Sequence, residues 1–219
     1  MTSIRICFVG DSLTNGTGDP EFQGWSRRLT KLEQNSGYDI TAYDLGVRAD
    51  TTELIARRWR AECNARLTRE YRCGIVFSFG TNDVAMEENK LRVSVEQSIV
   101  NARDIVAEAR GWLPTLWISP PPVNDEDMPF ASLPGRDRYF SSQRIAELSR
   151  NYRKIARTLG VPYLDICTPL LTDVRWLTYF RKNDGVHPRA SGYTLIAKKV
   201  RDWPAWRNFL NHGADQNNK

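Results

Sequence analysis

The 219-residue chain is poor in the residues that build metal knuckles or disulfide frameworks: it has four cysteines, Cys7, Cys63, Cys73 and Cys167, and no C-x-x-C pair. Neither a zinc site nor a disulfide scaffold is expected, and the thiols read as reduced. Cys7 and Cys73 fall in or beside apolar runs, where a free thiol packs as a small hydrophobe. No apolar run approaches the ~20 residues of a membrane span, and no apolar secretory segment precedes Ser3-Ile4-Arg5-Ile6. A cytoplasmic location without stable membrane insertion is therefore expected. The formal charge of +5 is spread among acidic residues, as in Ala56-Arg57-Arg58-Trp59-Arg60-Ala61-Glu62. With no zinc-finger spacing and no RNP-like aromatic motif, nucleic acid is not an expected partner.

Gly10, Gly16 and Gly18 form a glycine-rich loop after an apolar run. The loop lacks the lysine of G-x-x-x-x-G-K-[ST] and the third glycine of a dinucleotide fingerprint, so a nucleotide-binding module is disfavoured and no cofactor is expected. Histidine is scarcer still. With two in the chain, any imidazole chemistry falls to His187 or to His212 in the polar tail.

What is present reads as one α/β domain. An apolar fraction of 41% and a charged fraction of 26% suit a soluble globular chain of this length. One domain is expected over residues 1–210, with a disordered tail at 211–219. Short apolar runs at Ile4–Val9, Ile40–Leu45, Gly74–Phe79, Thr115–Ser119 and Pro162–Ile166 alternate with helical periodicity, the grammar of parallel strands joined by crossover helices. Capping boxes at Asp50-Thr51-Thr52-Glu53 and Ser94-Val95-Glu96-Gln97 open two of the helices, the first reaching about Leu67 and the second stopping at Gly111. Two more run over Ser141–Leu159 and Ala190–Val200. The proline-rich, acidic stretch from Pro120 to Arg138 follows the fourth strand and reads as a lid or pocket wall.

An open parallel sheet gathers its functional groups beyond the carboxyl ends of its strands. That rule selects Gly10-Asp11-Ser12-Leu13, Asp44-Leu45-Gly46-Val47 and Gly80-Thr81-Asn82-Asp83. A fourth segment, Asp184-Gly185-Val186-His187-Pro188, lies before the last helix. Ser12 is either an exposed nucleophile on a strand-to-helix turn or a serine closing a βα loop. His187, three residues after Asp184, can have its Nδ1–H held by that carboxylate, or it can be a surface histidine at a helix start. The Ser12 and Gly46 amides and the Asn82 side chain can donate to an oxyanion, although glycine and asparagine also serve plain turns.

These four blocks, in this chain order, resemble those of the SGNH, or GDSL-type, hydrolases. The resemblance spans almost the whole chain. It implies a flavodoxin-like three-layer sandwich with a five-stranded parallel sheet between helices. Ser12 would be the nucleophile, His187 its base and Asp184 the orienting acid. Ser12, Gly46 and Asn82 would form the oxyanion hole. Within Asp44-Leu45-Gly46-Val47-Arg48-Ala49-Asp50-Thr51-Thr52, Asp44 stands where asparagine is common and Ala49 where glycine is common. The expected activity is carboxylic ester hydrolysis through an acyl-enzyme, with carbohydrate acetylesterase, thioesterase or lysophospholipase activity as alternatives on the same site and a silent binding module as the rival class. Asp11, Trp25 and Asp83 are taken as substrate contacts, and Phe22, Met128, Phe130, Tyr139 and Phe140 as further candidates for the pocket wall. The expected partner is a small ester; fold and triad do not set its identity, and the oligomeric state is not legible.

Overall fold

The computed structural model describes residues 3–68, 70–133 and 136–212. The central sheet consists of β1 (Ile4–Gly10), β2 (Ile40–Gly46), β3 (Arg72–Ser78), β6 (Thr115–Ile118) and β9 (Tyr163–Leu164), all parallel, in the order β2-β1-β3-β6-β9. Counted along the main sheet this is the doubly wound 2-1-3-4-5 order, and the polypeptide reverses direction across the sheet beside β1. The flavodoxin-like three-layer expectation holds.

Alternation along β1 divides the interior in two. Cys7 and Val9 face one layer, where they meet α3 (Thr52–Asn64), α4 (Val95–Arg110) and α5 (Ser142–Leu159) through residues such as Trp59, Ile105 and Tyr152. Ile4, Ile6 and Phe8 face the other layer, formed by α2 (Gly24–Gln34), α6 (Cys167–Leu171), α7 (Ala190–Arg201) and α8 (Pro204–His212). Strands buried on both faces read as near-continuous apolar runs rather than strict alternations, which is why these runs were visible in the sequence. Ser94 caps α4 as its box suggested, its hydroxyl accepting from Gln97 N. The box at the start of α3 works differently. Thr51 makes no side-chain cap, and the Thr52 amide donates instead to Asp83 Oδ1 on a separate loop at 2.8 Å.

Several boundaries move. The helix expected to reach Leu67 stops at Asn64, and the strand expected over Pro162–Ile166 contracts to Tyr163–Leu164. Asn211 and His212 close α8, whereas 213–219 lie outside the described residues. The larger departure concerns the stretch from Pro120 to Arg138. Part of it forms β7 (Phe130–Leu133) and the start of β8 (Arg136–Tyr139), which join β4 (Met86–Glu87) and β5 (Lys90–Leu91) in a separate antiparallel sheet of order β5-β4-β8-β7. The connection is therefore a built wall, folded onto the carboxyl end of the main sheet.

Candidate active site

β1 ends at Gly10, and Asp11 turns the chain into the single-turn helix α1 (Ser12–Asn15), its Oδ1 accepting from Leu13 N at 3.0 Å. Ser12 is thereby fixed at the first position of a helix at the sheet's carboxyl edge. His187 reaches it from the loop before α7. One carboxylate organises that loop: Asp184 Oδ1 accepts from Val186 N at 3.0 Å and His187 N at 2.8 Å, while Oδ2 lies 2.6 Å from His187 Nδ1. His187 Nε2 lies 2.7 Å from Ser12 Oγ. The hydrogen-bond network assigns the proton to Nδ1, donating to Asp184, and leaves Nε2 as acceptor for the serine hydroxyl. Burial pushes the Asp184 carboxyl up, but its hydrogen bonds with His187 outweigh that and hold it below the ordinary aspartate value. Asn183 Nδ2 donates to His187 O at 2.5 Å, and the edge of the Phe130 ring packs against the imidazole.

Ser12, His187 and Asp184 open onto a cavity of about 360 Å³ whose remaining wall includes Asn82, Ala49, Arg48, Phe130 and Phe140. A larger cavity of about 420 Å³ lies near Trp112, Pro162 and Phe209 and is lined by no serine, histidine or carboxylate. Size and chemistry disagree here, and the chemistry decides, because a nucleophile needs a base within hydrogen-bond reach. Among the described residues, no group of three or more His, Cys, Asp or Glu side chains is arranged to hold a metal ion.

Not every residue singled out in the sequence reaches this pocket. Gly46 is not part of its wall, and its amide donates to Asp44 Oδ1 at 3.0 Å. A Cβ there would sit 2.2 Å from Asn15 N and 2.7 Å from Asp11 O, so the glycine is needed for the close passage of α1 over the end of β2. The residue that does face the cavity is Ala49. It adopts the left-handed conformation, φ 66°, and its carbonyl is held by Arg92 Nη1 at 3.0 Å. Among the described residues, neither the Ala49 amide nor the Ser12 amide has a protein acceptor.

Trp25, 2% exposed, belongs to the core, edge-on to Phe8, and makes no part of the pocket. Asp83 is fully buried; its carboxylate accepts from Thr52 N and Oγ1 and from Ser98 Oγ, and Ser98 in turn meets the Tyr152 hydroxyl. It ties the start of α3 to the turn that carries Asn82. Asp11, 1% exposed, lies beneath the site, where Asn82 Nδ2 makes a long contact of 3.4 Å to its Oδ2. Burial pushes the Asp11 carboxyl up to about 7, with the Asp83 and Asp50 carboxylates adding to the rise. Neither the Asp11 nor the Asp83 carboxylate is part of the cavity wall. Phe22 and Tyr139 are exposed outside the cavity, whereas Phe130 and Phe140 line it. Arg48, Ala49 and Arg138 were not among the expected site residues. The alanine at a position where glycine is common was the one sequence signal that pointed to this loop.

A doubly wound parallel sheet carrying a hydrogen-bonded serine, histidine and aspartate at its carboxyl edge defines a class of α/β hydrolases. The chain belongs to the GDSL-like lipase/acylhydrolase family, which it matches over residues 8–195, and is accordingly a serine ester hydrolase. Solved structures share the fold. A lipase/acylhydrolase from Enterococcus faecalis superposes with a TM-score of 0.71 at 20% identity, covering 96% of each chain. A lipolytic G-D-S-L family protein from Veillonella parvula gives 0.70 at 18% identity, over 93% of this chain and 99% of its own. A catalytic serine-to-alanine mutant of an acetylxylan esterase from Geobacillus stearothermophilus gives 0.67 at 17% identity over 94% of both. A search of curated protein sequences found no match. No described helix is long and apolar enough to cross a membrane.

Proposed function

We propose that the chain hydrolyses small carboxylic esters through an acyl-enzyme on Ser12, with His187 as base and acid and Asp184 as its orienting carboxylate. The observation that carries this reading is the unbroken Ser12–His187–Asp184 hydrogen-bond chain, 2.7 Å and 2.6 Å, opening on the cavity. Ser12 Oγ attacks the carbonyl carbon and its proton passes to His187 Nε2. When the bond to the alcohol oxygen breaks, His187 returns the proton to that oxygen. Water then attacks the acyl-enzyme by the same route and releases the acid.

The donors for the tetrahedral oxyanion are the Ser12 amide, the Asn82 side chain and, in the place first given to Gly46, the Ala49 amide. Two preformed amides and one neutral carboxamide stabilise charge that exists only in the transition state. A volume of about 360 Å³ is at the small end for ligand sites, and Phe130, Phe140 and Val186 supply an apolar surface for a short acyl chain. A short-chain soluble ester fits this space. The four free thiols support a reducing, cytoplasmic setting.

The test is hydrolysis of p-nitrophenyl esters over a series of acyl lengths beside fluorophosphonate labelling, in wild type and Ser12→Ala. Activity and labelling that both disappear in Ser12→Ala support the assignment, and the chain-length optimum measures the pocket. A wild type that neither labels nor turns over rejects it.

A further inference from the structure

The cavity wall carries two arginines, Arg48 and Arg138. Arg48 lines the pocket from an exposed position and has no carboxylate partner among the described residues. Arg138, on β8, also lines the cavity, and its Nε is 2.8 Å from Glu87 Oε2. That carboxylate is shared, for Arg92 Nε lies 3.5 Å from the same oxygen. Asp184, the acid that lines the pocket, already has both oxygens engaged with the His187 loop. Asp50, two residues from Arg48, is paired with Arg58 at 2.7 Å. The pocket wall therefore presents two guanidinium groups, Arg138 paired with Glu87 and Arg48 with no carboxylate partner among the described residues.

We propose that the enzyme selects esters bearing an additional oxyanion group, a carboxylate or phosphate, held by the Arg48 guanidinium with Arg138 contributing to the cationic wall. This rests on the ester hydrolase reading above and adds the substrate class. Arg48 is adjacent in the chain to Ala49, so its Cα lies about 3.8 Å from that of the oxyanion donor. An anion held by Arg48 would thus fix the scissile carbonyl a few bonds away against the donors. Guanidinium groups suit carboxylate and phosphate because their planar fork can make two parallel hydrogen bonds.

The experiment compares near-isosteric pairs. On the acyl side, 4-nitrophenyl hydrogen glutarate is set against 4-nitrophenyl valerate. On the alcohol side, 4-acetoxybenzoate and 4-acetoxyphenyl phosphate are set against 4-methylphenyl acetate, each corrected for its spontaneous rate. Wild type is expected to favour at least one anionic ester by about tenfold in kcat/KM, and Arg48→Ala to reduce that preference by about tenfold. Arg48→Lys should retain part of it, Arg48→Glu should reverse it, and added salt should shrink it in the wild type without any substitution. The arm that responds identifies carboxylate or phosphate, and acyl or alcohol side. A wild type with no anionic preference, a preference that survives in Arg48→Ala, or equal losses on both members of each pair would overturn the proposal while leaving the ester hydrolase intact. A wild type inert to every ester and to fluorophosphonate would remove both readings.

Discussion

Asp11 offers a direct test of how the nucleophile turn is held together. Its carboxyl is fully buried and pushed by that burial from an ordinary value of 3.8 up to about 7. Between those two values the folded chain keeps a proton that the unfolded chain has released, so folding stability falls as pH rises, and it levels off above about 7. The gap corresponds to about 4 kcal/mol, of which about 3 kcal/mol lies between pH 5 and pH 9. In Asp11→Asn the carboxamide oxygen can still accept from Leu13 N, a role in which asparagine equals aspartate, but nothing titrates. Urea unfolding of wild type and variant at pH 5 and pH 9 isolates the effect. The variant's stability relative to wild type should improve by about 3 kcal/mol across that interval. Any pH-independent loss, such as a weakened contact to Asn82, cancels in the comparison. Parallel pH slopes for the two proteins would refute the reasoning and mean that Asp11 is ionised in the fold well below pH 7.

Two further substitutions separate the chemistry from the scaffold. Asn82→Ala removes the one side-chain donor of the proposed oxyanion hole and should lower kcat by about 10² to 10³ with little change in KM, because the charge it meets forms only in the transition state; a KM effect without a kcat effect in p-nitrophenyl ester kinetics would contradict that role. Gly46→Ala places a Cβ 2.2 Å from Asn15 N, a backbone atom with no rotamer to yield. It should destabilise by about 2 kcal/mol or more, lowering Tm by at least about 4 °C, and an unchanged Tm in calorimetry would show that α1 can move.

The features legible in the sequence were those set by local pattern and by scarcity. Doubly buried strands such as Ile4–Gly10 leave contiguous apolar runs, and two histidines leave His187 as the one available base outside the tail. The antiparallel wall was illegible for a physical reason. Its β4–β5 turn is Glu88-Asn89, both at positive φ, 50° and 60°. That geometry ordinarily draws Asn-Gly or Asp-Gly, and without a glycine the hairpin carries no signal. β4 pairs with β8 across about fifty positions, Met86 with Tyr139 and Glu87 with Arg138, a contact that no local window contains. Gly46 and Ala49 show the same limit within the site itself. A glycine suggests an amide open to a ligand, but absence of a side chain also permits backbone contact, and at Gly46 that second use prevails. Ala49 lacks that signature yet holds a left-handed turn at a cost of about 1–2 kcal/mol. Arg92 on its carbonyl supplies the restraint from 43 residues away. Which amide is left without a protein acceptor is thus decided by a local hydrogen bond from Gly46 N to Asp44 and a long-range one from Arg92 to the Ala49 carbonyl, and residue type alone could not have assigned it.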